Sequence, residues 1–133
     1  MKKTLIMILV MLGCVTVSAQ KINKNELKQI QVFLSEISET GISNAAVLEI
    51  SNAADPATWK GVLIDNGHVT EINWSRKKLA GTPDLSNFSA LTKVDISHNM
   101  IAALSVANCK SLVELNASRN ALKKTDFTGA NAL

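Results

Sequence analysis

Three basic side chains, Arg76, His98 and Arg119, recur at intervals of 22 and 21 residues. Each follows a short run in which apolar and polar residues alternate. Guanidinium groups carry their donors in a fixed fork that matches carboxylates and phosphates, so a column built from these three would recognise anionic groups. The same spacing relates Glu71, Lys93 and Glu114, then Asn73, Asp95 and Asn116, then Ser75, Ser97 and Ser118. Set side by side, these residues offer hydrogen bonding and mixed charge, which suits a polar protein surface or a glycan. The competing reading is a solvated ladder in which Lys93 pairs with Glu71 and Glu114, and the columns hold no aromatic anchor of the kind that dominates binding energies. His98, flanked by two arginines, is expected to hold its proton weakly through like-charge repulsion, which disfavours a proton switch near neutral pH.

Other reactive side chains form no set. Cys109 has only Cys14 as a companion, and its place just after Asn108 suits a small buried filler better than a reactive thiol. His68 reads as a turn residue. Neither histidine has a second ligand at metal spacing, and the glycines compose no phosphate-binding loop. The expectation is a non-enzymatic chain with no catalytic, cofactor-binding or metal-ligating residues.

The elements that must position the columns are repeats. Val69, Leu91, Leu112 and Leu133 open successive units. Unit one continues with Ile72, Trp74 and Leu79, unit two with Val94, Ile96 and Ile101, and unit three with Leu115, Ala117 and Leu122. Apolar residues at the fourth and sixth positions alternate with polar ones, the period-two mark of a strand with one buried face. The ninth position is Asn99 and Asn120 in units two and three but Lys77 in unit one. An amide there can donate and accept, satisfying backbone groups buried between units; Lys77 cannot accept and should turn outward or distort its unit.

With these positions in view, residues 69 to 133 resemble the leucine-rich repeat family, pattern L-x-x-L-x-L-x-x-N-x-L. The run from Asn108 through Cys109, Lys110 and Ser111 to Leu112 resembles bacterial secreted and surface members. The segment Trp59-Lys60-Gly61-Val62 resembles the lead-in to extracellular domains of this family, although flanking cysteines are absent. The resemblance implies an α/β repeat solenoid: short parallel β-strands, few or no helices on the convex side, and an N-terminal helical cap. It also implies protein-protein or cell-surface binding through the concave β face. Leu85 with Phe88, Leu104 with Val106, and Thr125 with Phe127 would line the opposite wall, in extended or 3₁₀ form.

Ahead of the repeats, Leu27, Ile30, Phe33, Leu34 and Ile37 recur at helical spacing, predicting an amphipathic helix from about Lys24 to Glu39 with Asn23 or Asn25 as N-cap. Its polar face mixes both charges, so packing on the core is preferred to a membrane surface. Asp55-Pro56 reads as a capped helical turn delivering Trp59 to the core, Asp65-Asn66-Gly67 as a hairpin turn, and Trp59, Val62 and Leu63 as an apolar lid. Residues 1–19 read as a signal peptide with cleavage after Ala19; the other site, Cys14, would make a lipoprotein and is the one route to a membrane. The lead-in then covers 20–66 and the repeats 67–133, in a secreted or cell-surface protein. Without Lys2 and Lys3, the 14 basic residues fall to 12 against 11 acidic, a net of +1, so no basic patch addresses nucleic acid. Leu133 opens a fourth unit that is not there. That leaves two expectations, a piece of a longer surface adhesin serving as a structural capping stub, or self-association through an open repeat edge.

Overall fold

The computed structural model describes residues 21–133; the expected leader and both cleavage sites, with Cys14, lie outside them. Helix α1, Lys24–Ser35, begins where the Asn23 side chain accepts from the N–H groups of Asn25 and Glu26 at 2.9 and 3.1 Å, satisfying two donors that have no partner inside the helix. It buries Ile30, Phe33 and Leu34. The helix stops short of Glu39 because Glu36 is drawn away: its backbone is extended and its carboxylate accepts from the Thr82 N–H. A short helix α2, Asn44–Val47, follows, capped by Ser43. Pro56–Thr58 forms one 3₁₀ turn whose cap, Asp55, accepts from the Ala57 N–H at 3.0 Å. Trp59 is then buried, its indole donating to the Ala53 carbonyl.

Strands β1, Val62–Asp65, and β2, His68–Asn73, form an antiparallel hairpin. Asn66 and Gly67 both sit at positive φ, 56° and 80°, the arrangement whose twist matches the flanking strands. Strands β4, Lys93–Asp95, and β7, Glu114–Asn116, continue this sheet in parallel, giving the order β1-β2-β4-β7. Register is set residue for residue: Glu71 opposite Lys93 opposite Glu114, and Asn73 opposite Asp95 opposite Asn116. Behind it, β3, Ala80–Gly81, pairs in parallel with β5, Met100–Ile101, and β6, Ala103–Ser105, with β8, Lys124–Asp126.

The α/β repeat solenoid expected from the spacing is not what forms. Among the described residues the chain is a small mixed α/β domain with a mixed four-stranded sheet, two two-stranded sheets and two α-helices. The three units supply only three short parallel strands to the four-stranded sheet, and the residues ahead of them bring its antiparallel strand and much of the core. Phe33 stacks on Trp74 with ring centroids 5.6 Å apart, inside one apolar cluster that runs from Ile30 to Ala130. The wall opposite the four-stranded sheet holds for Leu85, Phe88, Leu104 and Val106, all buried, but fails in unit three, where Thr125 and Phe127 are exposed. Leu63 is likewise exposed and does not join Trp59 in sealing the core.

Long-range side-chain bonds to backbone hold α1 and α2 against the strands. The buried Asn44 amide donates to the carbonyls of Phe33 and Ala80 at 2.9 and 2.8 Å, and its oxygen accepts from the Ala80 N–H. Gln29 donates to the carbonyls of Asp84 and Ser86. Glu26, only 2% exposed, accepts from the Val69 N–H with one oxygen and meets His68 Nδ1 at 2.8 Å with the other. His68 is thus a strand residue tied to α1 rather than a turn residue.

Candidate functional site

The outward columns assemble on the face of β2, β4 and β7. Because each strand contributes three residues in register, neighbours within a column are separated by one inter-strand step, about 4.8 Å. In the first column Lys93 Nζ lies 3.1 Å from Glu114 Oε1. Glu114, by hydrogen bond and charge, holds the Lys93 ammonium above its ordinary pKa, with Glu71 and Asp95 adding smaller attractions. The expected partnership of Lys93 with Glu71 is one of field rather than contact.

The second column is committed to the architecture. Asp95 Oδ1 accepts from the Ser97 N–H and hydroxyl at 3.0 and 2.7 Å, and Asn116 Oδ1 accepts from the same groups of Ser118 at 3.1 and 2.7 Å. Asn73 Oδ1 accepts from the Ser75 N–H at 3.3 Å. These are local turns that bend the chain out of each strand. Their acceptor oxygens are therefore spent at home, which removes half of what Asn73, Asp95 and Asn116 could offer a partner.

The third column keeps both of its arginine side chains exposed. Arg76, His98 and Arg119 each sit at φ of 56° to 57°, a left-handed conformation that costs a side-chain-bearing residue about 1–2 kcal/mol. Each is the pivot where its strand turns over the top of the sheet. The pivot is held by inter-unit bonds: the Arg76 N–H donates to the Ser97 carbonyl and the His98 N–H to the Ser118 carbonyl, both at 2.9 Å. Both arginines are exposed and His98 is half-buried. Nδ1 of His98 is buried without a hydrogen-bond partner. Its pKa is lowered first by that desolvation and then by the charges of Arg76 and Arg119, so burial, which was not anticipated, ranks ahead of either arginine's repulsion.

Below the pivots runs the asparagine ladder. The Asn99 amide donates to the carbonyls of Trp74, Ile96 and Ser97, while its oxygen accepts from the N–H groups of Lys77 and Leu79. Asn120 donates to Ile96, Ala117 and Ser118 and accepts from the Ile101 N–H. Lys77 has its N–H satisfied by the next unit's asparagine and its side chain exposed.

Cys109 is fully buried, its thiol 2.9 Å from the Leu85 carbonyl, and burial pushes its pKa up; such a thiol is a poor nucleophile. Among the described residues no group of three or more His, Cys, Asp or Glu side chains could hold a metal ion, and no helix is long and apolar enough to cross a membrane. A cleft of about 330 Å³ lies beside the sheet, lined by Glu49, Lys60, Gly61, Asn73, Trp74 and Lys77. Lys60 and Glu49 pair across it at 3.6 Å. Sequence reasoning missed Glu26, Asn44 and Gln29 as organisers of the site's supports; Asn44 in a short apolar stretch was the one local signal. Compared with protein-family models, with curated proteins and with solved structures, the chain matches none.

Proposed function

We propose that this protein is a secreted or surface-exposed, non-enzymatic binding module that recognises a polar partner carrying acidic groups. The observation that carries this reading is the row of Arg76, His98 and Arg119 at three equivalent pivots in one repeated left-handed conformation. The repeated backbone conformation sets two guanidinium groups on either side of a neutral imidazole, and fixing their anchoring backbone in advance raises affinity by lowering the entropy lost on binding. Lys93 extends the basic character, while Glu71 and Glu114 flank it and would select against partners of uniform negative charge. The resemblance of the spacing to leucine-rich repeats supports an interaction role, and the leader-like residues 1–19 support export.

The test is binding of the purified protein to an array of acidic, neutral and basic glycans and peptides, with Arg76→Gln and Arg119→Gln combined. Acidic probes should bind in a salt-sensitive manner and be lost in the double variant at unchanged melting temperature. Binding that survives the double variant would place recognition away from the arginines and overturn the reading, and no binding by the parent would leave the domain as a structural stub without a ligand of its own.

A further inference from the structure

The four-stranded sheet and the β6-β8 sheet both have unit three at one edge, and β7 and β8 each have a strand neighbour on one side only. The side chains there show what a neighbour would contribute. Val94, Ile96, Ile101 and Val106 of unit two are at most 1% exposed, whereas their equivalents Leu115, Ala117 and Leu122 are only partly buried and Phe127 is 48% exposed. The other edge of the four-stranded sheet, β1, carries a register irregularity between Leu63 and Ile64, a feature that discourages edge pairing.

We infer that this edge is an interface for a second copy of the chain, joined through a two-fold axis that pairs β7 with β7 and β8 with β8, antiparallel. A two-fold lying across the strands and pointing from one sheet to the other reverses strand direction but keeps inward side chains inward, so the two apolar ends meet. Charge then favours the arrangement. With β8 centred on Thr125, Lys124 falls opposite the second copy's Asp126 and Asp126 opposite its Lys124. With β7 centred on Leu115, Glu114 falls opposite Asn116, so no like charges face each other. A head-to-tail contact would instead bring unit three against the β1 side, where only one of the two open edges finds a strand, and would propagate into filaments rather than close.

The purified protein should sediment as a dimer at micromolar concentration. Lys124→Glu, at an exposed position, puts carboxylates opposite each other twice and should weaken the dimer about tenfold or more. Asp126→Lys should do the same with ammonium groups. Mixing the two single variants should restore dimers, because the carboxylate introduced in one copy then faces the ammonium introduced in the other, while the unaltered Asp126 of the first faces the unaltered Lys124 of the second. Asp126 also caps Thr128, so Asp126→Asn, which keeps an acceptor for that cap, separates lost charge from lost folding and should weaken the dimer while the dissociated copy keeps a native circular-dichroism spectrum. A monomer up to about 100 μM, far above typical specific affinities, a dimer indifferent to Lys124→Glu, or a ladder of higher oligomers overturns the inference. So does a native protein of greater intact mass that remains monomeric, since its own continuation would then cover the edge.

Discussion

Replacing Asn99 by alanine should cost far more than the same change at Asn120, although both occupy the ninth position of a repeat unit. Asn99 is buried and serves five backbone groups. Their fates after substitution differ. Lys77 is exposed, so water replaces the lost bond to its N–H. The Ile96 carbonyl keeps its bond from Asn120, and the Ser97 carbonyl keeps its bond from the Arg76 N–H. Two buried groups are left alone, the Leu79 N–H and the Trp74 carbonyl. At about 1–3 kcal/mol for each stranded buried group, the sum for two is roughly 2–6 kcal/mol. Asn120→Ala strands chiefly the Ile101 N–H, since Ile96 retains Asn99, Ser118 retains the His98 N–H and the Ala117 carbonyl lies in a half-buried residue that water reaches; the loss should be about 1–2 kcal/mol. Urea unfolding followed by the fluorescence of Trp59 and Trp74 reads both values, and the slope with denaturant should stay constant. Equal costs for the two variants, or a cost below about 1 kcal/mol for Asn99→Ala, would refute this ordering of the ladder.

Three further outcomes follow from the geometry. His98 holds its proton less tightly folded than unfolded, so stability is intact above the ordinary histidine value of 6.5 and falls as pH drops through it. Asp126, whose pKa is lowered mainly by its bonds to Thr128, contributes stability that is lost only as pH falls below its ordinary 3.8. Between those two values, His98→Asn, which tolerates the left-handed backbone, should flatten the pH dependence of the melting temperature; an unchanged slope would exclude His98 as its source. Gly67→Ala should cost about 1–3 kcal/mol in thermal unfolding, because φ there is +80° and the new methyl would lie 2.6 Å from the Lys21 carbonyl oxygen; a neutral result would mean that the lead-in yields. In a Cys14→Ser background, Cys109 should react with a disulfide reagent only as fast as the domain opens, and rapid labelling of the native protein would contradict its burial.

The columns and turns were legible from the sequence because they rest on local rules. Period-two alternation placed β2, β4 and β7, Asn66-Gly67 marked the hairpin, Asp55-Pro56 marked the 3₁₀ turn, and Asn99 with Asn120 marked the ladder. The fold class was misread because local periodicity says nothing about how residues 21–59 meet the repeats. That meeting is made by single side chains acting across 36 to 57 positions, Glu26 on Val69, Gln29 on Asp84 and Ser86, and Asn44 on Ala80, none of which belongs to a pattern. The same blindness set the helix end too late, since Glu36 leaves the helix for a backbone donor 46 residues away. In the candidate site, outward position was inferred correctly from alternation, but an outward Asn or Asp is free to fold back on its own turn, and all three did so.

The unequal burial of units two and three also orders the domain in time. Amides of α1, β2 and β4 lie beside side chains such as Ile30, Phe33, Val69, Ile72 and Val94 that are almost wholly covered, whereas those of β7 and β8 border residues that water already reaches. Local openings draw on the least-buried contacts first, so in a copy whose edge is uncovered the amides of β7 and β8 should exchange their hydrogens before those of β2 and β4, and pairing with a second copy should slow them.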